Sequence, residues 1–230
     1  MNPRLIPLLA VAILVIVLVL GVMLINPGPG AGSPVQDPAR LAEVEIRSFN
    51  GSDLSSLRDF HENSIRGPQY VNETGYRLTV TGLTGKTLVL PYRDVLDTYP
   101  HYTKLVTLHC VEGWDVKILW EGVLVRDIIQ SADPDSRANT VIFTARDGYT
   151  TSLPLDYIAK NNIIMAYKMN NVTLPAERGF PFELVAEDKW GYKWIKWIEK
   201  IELSDNPDYQ GYWEQRGYSN TADYGKYYFG

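Results

Sequence analysis

The side chain best suited to chemistry is that of Cys110, the single cysteine of the 230-residue chain. A thiolate is a soft ligand that suits redox-active metals, and it becomes a nucleophile when a base lies near it. His109 is its neighbour, but adjacent side chains on a strand point to opposite faces, so we do not expect His109 to activate Cys110 directly. The simpler alternative is that Cys110 is a small buried apolar side chain.

The elements around Cys110 are mostly strands. Residues 105–109 form a short apolar run before it, and Gly113 marks a turn after it. Alternation with period two over residues 76–83, followed by the apolar run 87–90, predicts a hairpin. Further strands are predicted at residues 140–144, 149–153, 163–168, 182–187 and 194–203, and short helices at residues 91–99, 124–131 and 155–160. The pattern indicates an α+β domain dominated by a mixed sheet.

The N-terminal region is strongly apolar. Residues 5–25 contain no charged side chain, and as a helix rising about 1.5 Å per residue they would cross a hydrocarbon core of about 30 Å. Arg4 precedes this segment and the next basic residue is Arg40, so the positive-inside bias places residues 1–4 in the cytoplasm and the rest outside. A cleaved signal peptide is the alternative. Residues 26–42 then predict a Pro/Gly-rich linker to one domain at residues 43–230, anchored to the membrane and extracytoplasmic.

The net charge and the cysteine content of the chain limit its expected partners. Without the first 32 residues the chain carries 21 basic and 27 acidic side chains, a net charge of −6. Such a surface repels a phosphate backbone, so nucleic acid is not an expected partner. The chain contains no Cys-x-x-Cys-His motif for covalent haem, so a redox reaction here would exchange electrons with a separate protein.

Several segments together resemble the molybdopterin-binding core of the sulfite oxidase family, which includes bacterial periplasmic methionine-sulfoxide-reducing molybdoenzymes. They stand in the family's order over roughly residues 50–218. The segments are Cys-Val-Glu-Gly-Trp at 110–114, Trp-Glu-Gly-Val at 120–123, Arg-Asp-Gly-Tyr at 146–149, Arg-Gly-Phe-Pro-Phe at 178–182 and Trp-Gly-Tyr-Lys-Trp-Ile-Lys-Trp at 190–197. The resemblance implies the sulfite oxidase fold, which agrees with the mostly β pattern.

The resemblance also implies a cofactor. In this family molybdenum is held by two dithiolene sulfurs of a pterin, one cysteine thiolate and oxo or hydroxo ligands. Cys110 matches that cysteine and is therefore the expected metal ligand and catalytic residue. Gly113 is expected to form a tight turn at the cofactor and Trp114 a wall of the pocket.

Further cofactor contacts follow from the same alignment. Arg178 matches a contact position, and the segment containing Trp194, Ile195 and Lys196 matches a backbone and lysine contact to the terminal phosphate. On a strand Lys193 and Lys196 would face opposite ways, so Lys196 alone is expected to reach the phosphate. His61 and Asn63 lie where the family places a loop beside the pterin ring, and both side chains can donate and accept hydrogen bonds.

The tail supplies one more candidate. Arg216 follows an aromatic segment that matches the family's region near the pocket mouth, and it is expected to offer a positive charge to an anionic oxo-substrate. The alternative for this segment, which includes Tyr212 and Trp213, is that it caps the hydrophobic core.

Two positions depart from the family pattern. Glu183 stands where the periplasmic reductases carry a cofactor-binding arginine, and Ala145 stands where a hydroxyl residue is common. A negative charge beside a phosphate is unfavourable unless another cation compensates, and Arg146 or Lys193 would be in a position to do so. The N-terminus also lacks a twin-arginine export motif.

The leading hypothesis is a molybdenum-dependent oxidoreductase that performs two-electron oxygen-atom transfer on a small oxo-substrate at a centre ligated by Cys110. A haem membrane protein or a cytochrome would be the electron partner, and without room for a dimerisation domain the chain would be a monomer. One alternative is a non-catalytic cell-surface binding module that keeps the fold and has lost the cofactor. The last is a cysteine-nucleophile enzyme that uses His109 or His61.

Overall fold

The computed structural model describes residues 37–230. Its strands are β1 Ser48–Phe49, β2 Ser52–Asp53, β3 Arg77–Gly82, β4 Leu88–Pro91, β5 His101–His109, β6 Asp115–Leu124, β7 Thr140–Ala145, β8 Thr150–Pro154, β9 Ile164–Met169, β10 Val172–Thr173, β11 Glu183–Val185 and β12 Ile198–Ser204. Its α-helices are α1 Pro38–Val44, α2 Tyr92–Thr98, α3 Val125–Ser131 and α4 Leu155–Lys160. Short 3-10 helices are found at Leu57–Asp59, Ala176–Arg178, Gly191–Lys193 and Glu214–Arg216.

Two five-stranded sheets form the frame. One has the strand order β10-β9-β6-β5, with β11 also paired to β9, and the other has the order β4-β3-β12-β7-β8. The pair β3–β12 is parallel, and the neighbouring pairs β3–β4 and β7–β12 are antiparallel. The predicted mixed sheet, the β3–β4 hairpin and the mostly β architecture are therefore confirmed.

The core lies against these sheets. In β3 the residues Leu78 and Val80 are fully buried and alternate with more exposed neighbours, as a strand with one covered face requires. In β9 nearly every residue is buried, which means that both faces of this strand are covered. The short helices pack at the margins of the sheets and contribute apolar side chains such as Val95 and Ile128.

The long hairpin β5–β6 carries Cys110 at its turn. Pairing runs from His101 opposite Val123 to His109 opposite Asp115. At the turn the Cys110 N–H donates to the Trp114 carbonyl at 3.0 Å, and the Gly113 N–H donates to the Cys110 carbonyl at 3.0 Å. Gly113 has φ +89°, a conformation that favours glycine. The predicted turn after Cys110 is therefore present.

Several boundaries differ from the sequence-based expectation. The sequence predicts no strand over Asp115–Leu124, because charged residues and Gly122 interrupt its apolar pattern, yet β6 pairs with β5 on one side and β9 on the other. Gly122 is required there, since an added Cβ would lie 2.4 Å from the Met165 carbonyl oxygen. The predicted strand 194–203 begins only at Ile198, because Trp197 has φ +55° and interrupts the extended backbone.

The N-terminal predictions fall mainly on residues that the structure does not describe. The predicted membrane segment 5–25 and most of the predicted linker lie outside residues 37–230. The end of that linker is instead helix α1, with Pro38 in its first turn and Asp37 accepting the Ala39 N–H at 3.0 Å. Within the described residues, no helix is both long enough and apolar enough to cross a membrane.

A buried hydrogen-bond network ties the segment after α1 to the sheet. The Asn170 amide donates to the Glu45 carboxylate at 2.9 Å and to the Ser55 carbonyl at 2.8 Å. Its own oxygen accepts the Leu119 N–H at 3.1 Å, and the Leu57 N–H donates to Glu45 at 3.1 Å. Glu45 is therefore a buried carboxylate whose charge is stabilised by several donors.

Asn170→Ala should remove this network. The substitution leaves buried partners unsatisfied, so we expect the free energy of unfolding to fall by about 2–4 kcal/mol in urea titrations. Asn162→Ala is the matched control, because Asn162 is exposed and has φ +49° against φ +45° for Asn170. Equal losses in the two variants would mean that only the backbone conformation, and not the network, favours asparagine.

Candidate functional site

A cavity opens beside Cys110. Its empty space is about 1070 Å³ including the opening to solvent, and about 220 Å³ is reachable by the centre of a water molecule. The smaller volume lies below the range of about 300–1,000 Å³ of typical small-molecule sites, so a larger ligand would extend into the opening. Its walls are drawn from residues within the segments 60–65, 108–114, 147–149, 178–183, 191–197 and 213–218.

Cys110 lies in the wall of this cavity. Its residue is 7% exposed, and the Asn63 amide nitrogen is 3.8 Å from Sγ, within range of a weak hydrogen bond to sulfur. Burial raises the pKa of the Cys110 thiol, and the backbone N–H of Glu112 opposes part of that rise. A thiol with a raised pKa is a poor nucleophile, and a metal bound here would have to displace its proton, because the thiolate is the metal ligand.

The histidines do not activate this thiol. His109 Nδ1 lies 2.7 Å from Asp115 Oδ1, and its ring stacks on Tyr224 with ring centres 3.5 Å apart. His61 lines the cavity and packs against Trp114 with ring centres 5.4 Å apart. The cysteine-nucleophile alternative therefore has no support from the positions of these side chains.

Arg178 is a buried cation in the cavity wall. Its Nη1 and Nη2 donate to the carbonyls of His61 at 3.3 Å and Phe60 at 3.4 Å, and the guanidinium lies 4.7 Å from the centre of the Phe60 ring. Burial lowers the pKa of Arg178. A guanidinium has five N–H donors, so donors remain for an anionic ligand.

Lys196 is the second cation of the wall, and its side chain is half-buried. Its Nζ donates to Glu62 at 2.9 Å and to the Glu177 carbonyl at 3.2 Å, and it lies 4.4 Å from the centre of a Trp197 ring. Burial lowers the pKa of Lys196 as well. Together with Arg178 it provides the positive charge that a phosphate group needs.

Glu183 also lines the cavity, next to these cations. It is 3% exposed, and its Oε2 has no hydrogen-bond partner among residues 37–230. Burial raises the pKa of Glu183 to about 8, although Lys196 and then Arg178 act to lower it. The prediction that Arg146 or Lys193 offsets the charge of Glu183 is wrong. Arg146 pairs with Glu199 at 2.7 Å, and Lys193 pairs with Glu214. Ala145, the other departure, is buried in β7.

The Lys193–Glu214 ion pair is fully buried and anchors the tail. Lys193 Nζ also donates to the Ser152 carbonyl at 3.0 Å, and Thr151 donates to Glu214 at 3.0 Å. Burial lowers the pKa of Lys193, while the Glu214 charge raises it. The pair fixes the Glu214–Arg216 turn against β8, which places Trp213 and other tail side chains in the cavity wall.

The structure brings most of the predicted site residues to one cavity. Those that line it are His61, Asn63, Cys110, Arg178, Trp194, Ile195 and Lys196, and Trp114 is a wall as expected. Lys196 rather than Lys193 is at the cavity, although the reason is not strand alternation, because Gly191–Lys193 is a 3-10 helix. The cofactor roles of these residues remain predictions.

Two predicted site residues do not line the cavity. Gly113 shapes the turn but is not part of the wall. Arg216 donates to the Tyr212 carbonyl at 2.6 Å, and its guanidinium lies 3.6 Å from the centre of the Tyr212 ring. This cation–π contact holds Arg216 at the surface, outside the cavity lining, and its catalytic role stays a prediction.

Other residues reach the cavity without having been assigned a role. Asp147 is a buried acid that accepts the Tyr149 N–H at 2.9 Å, and both residues line the wall. The Asp147–Gly148 turn could have indicated a fixed carboxylate, but sequence alone does not show that β7–β8 faces Cys110. Tyr218 joins the wall from the tail and packs on Tyr192 with ring centres 5.1 Å apart.

The mostly β frame and the cation-lined cavity beside a cysteine agree with the family that the sequence resembles, and the comparisons show that family. The family model described as the oxidoreductase molybdopterin binding domain matches residues 65–213. The chain belongs to this family of molybdopterin-dependent oxidoreductases, whose cofactor is molybdenum bound to molybdopterin.

Individual relatives support the same assignment. The chain is 34% identical to the uncharacterized oxidoreductase YuiH of Bacillus subtilis over 157 residues, covering 68% of this chain and 78% of YuiH. It is 30% identical to the protein-methionine-sulfoxide reductase catalytic subunit MsrP of Gluconobacter oxydans over 204 residues, covering 79% of this chain and 62% of MsrP.

A solved structure supports the fold. The sulfane dehydrogenase SoxCD of Paracoccus pantotrophus aligns with a TM-score of 0.57 and 20% identity, covering 76% of this chain and 49% of the SoxCD chain. The chain therefore spans about half of that structure and less than two thirds of MsrP.

The residues present fit the family's cofactor. Arg178 and Lys196 are cations in the cavity wall with unused donors, as a terminal phosphate requires. Asn63 and His61 add polar groups for a heterocycle edge. Glu183 also lines the cavity, and its buried Oε2 has no hydrogen-bond partner among residues 37–230.

The buried pair at the tail gives a testable expectation. Lys193→Met should lower the free energy of unfolding by about 3–5 kcal/mol, because it leaves the Glu214 charge buried and unpaired. The double variant Lys193→Met/Glu214→Leu should recover most of this loss. Lys160→Met removes an exposed pair with Asp156 and should cost at most about 0.5 kcal/mol. If the double variant were as unstable as the single one, the unpaired charge of Glu214 would not be the cause of the lost stability.

Proposed function

We propose that this chain performs two-electron oxygen-atom transfer on a small oxo-substrate, with the Cys110 thiolate as the protein ligand of molybdenum. The observation that carries the proposal is the position of the Cys110 sulfur in the wall of a cavity that is also lined by the cations Arg178 and Lys196. The family assignment supports the reaction class, and the cavity supports the location that we propose for the reaction.

Each side of the cavity has a distinct task. When bound, the cofactor supplies a metal centre that changes oxidation state by two electrons while an oxygen atom moves to or from the substrate. Cys110 binds the metal, and the hydrogen bond from Asn63 orients its sulfur. Arg178 and Lys196 bind the phosphate, and aromatic side chains such as Trp114 exclude water from the rest of the wall.

The electron source or sink is a separate protein. MsrP is named a catalytic subunit, which points to a partner subunit in that enzyme. We extend this arrangement to the present chain, with a haem membrane protein or a small cytochrome as partner. The chain itself is proposed to act as a monomer.

We also propose the location that the sequence predicts. Residues 5–25 anchor the chain in the membrane and residues 43–230 face away from the cytoplasm. In cells whose outer envelope is permeabilised and whose cytoplasmic membrane is intact, added protease should digest the domain and leave cytoplasmic marker proteins undigested. Protection of the domain until the cytoplasmic membrane is lysed would contradict this orientation.

Metal analysis tests the role of Cys110. The chain made in a molybdenum-replete host should contain molybdenum and reduce or oxidise members of an oxo-substrate series, with a dye as electron carrier. Cys110→Ser should lower this activity at least about 100-fold, since residues that only support a metal ligand are already worth about 10- to 100-fold. Molybdenum X-ray absorption should show one sulfur ligand fewer in this variant.

His109→Gln is the control, because His109 is bound to Asp115 and does not line the cavity. It should keep both molybdenum and activity. A well-folded chain without molybdenum would contradict the proposal, and so would activity that survives in Cys110→Ser. Activity that is lost on alkylation of metal-free protein would instead identify a cysteine nucleophile.

A further inference from the structure

Glu183 is a carboxyl group that the cavity wall buries without a hydrogen-bond donor. It begins β11 opposite Ala166 of β9, and its Oε2 is enclosed and unpartnered among residues 37–230. An ionised carboxylate in such a place gives up its hydration and receives no hydrogen bond in exchange. Glu183 therefore retains its proton more strongly than an exposed glutamate.

The charged neighbours of Glu183 are engaged elsewhere. Lys196 donates to the Glu62 carboxylate and to the Glu177 carbonyl, and Arg178 donates to two backbone carbonyls. The charges of Lys196 and Arg178 lower the pKa of Glu183, but burial outweighs them and raises it to about 8. The negative charges of Glu62 and Glu177 lie beside the same two cations and offset part of their effect.

Gly179 holds this arrangement in place. A Cβ added at Gly179 would lie 3.0 Å from Glu183 Cβ and 3.2 Å from Lys196 Cβ and Cγ. The backbone thus packs directly on both side chains, and the φ of +94° at Gly179 favours glycine. Glu183 and Lys196 are therefore held side by side at the cavity wall, with little room to separate.

We propose that Glu183 is a neutral carboxylic acid at neutral pH and contacts the cofactor as a hydrogen-bond donor, so that loss of its proton weakens cofactor binding. This inference rests on the proposed function, in which this cavity holds the cofactor. A protonated carboxyl offers an O–H donor, whereas an ionised one only accepts. An ionised Glu183 would also repel the anionic phosphate that Arg178 and Lys196 attract.

The protonation state is testable in the cofactor-free full chain. An unfolded glutamate has a pKa of about 4.3, below the folded value, so the folded chain holds an extra proton between these two values. Stability from this proton is present at low pH and is lost as pH rises to about 8. The unfolding constant of the wild type, relative to Glu183→Gln, should therefore rise up to tenfold per pH unit over this window.

Glu202→Gln is the control for this measurement, because it removes a surface glutamate paired with Lys200. It should show no comparable pH-dependent difference from the wild type. If the wild type and Glu183→Gln had parallel pH profiles, Glu183 would not carry the extra proton. Should Glu183→Gln fail to fold, infrared spectra of the wild type would decide, since a protonated carboxyl band must be present at pH 7 and lost above about pH 9.

Cofactor release from the holoenzyme tests the second half of the proposal. The fraction of molybdopterin lost on gel filtration should rise in the wild type above about pH 8, with a release constant that increases up to tenfold per pH unit. Glu183→Gln should remove this dependence and keep the cofactor. Identical pH profiles in the two proteins would overturn the inference while leaving the proposed function standing. A wild type that binds no molybdopterin at any pH would overturn both.

Discussion

The pairing of β5 with β6 is the constraint on which the site depends. This pairing runs without interruption from His101 to His109. It fixes the turn between the two strands, and therefore the position of Cys110 at the end of the sheet. On its other side β6 pairs with β9, which in turn carries β11 and therefore Glu183. The turn that carries the thiol and the strand that carries the buried carboxyl are thus connected through one continuous sheet.

Charge is the second feature of the site, and it is concentrated where water is scarce. Arg178 is buried and Lys196 is half-buried at the cavity, and the Lys193–Glu214 pair is buried behind the tail. Buried charges are unfavourable unless they are paired or hydrogen-bonded, so each of them restricts the conformations of its neighbours. The cations use backbone carbonyls and Glu62 as partners, which keeps them at the wall with donors to spare.

The sequence predicts much of this fold because period-two alternation is a local signal. The β3–β4 hairpin follows from this pattern, whereas β6 is missed because its pairing with two neighbouring strands is not visible in a local pattern. Cys110 and Lys196 were found through linked family motifs. The surface position of Arg216 was not predicted, because a contact with Tyr212 determines where its side chain lies.

The role of Glu183 shows the limit of such patterns most clearly. As a departure from the family's arginine it suggested the loss of the cofactor site. The structure gives it an environment that favours the uncharged form, and an uncharged acid is compatible with a nearby phosphate. The effective charge of a side chain depends on its surroundings, which neighbouring letters of the sequence do not reveal.

The cavity wall has a consequence for biosynthesis. Its residues range from Phe60 to Tyr218, so the pocket is incomplete on a nascent chain until the aromatic tail has left the ribosome. Translation adds about 5–20 residues per second, which leaves several seconds between the emergence of the first and last wall segments. Loading of the cofactor is therefore a late event in the maturation of this chain, after nearly the whole domain has been synthesised.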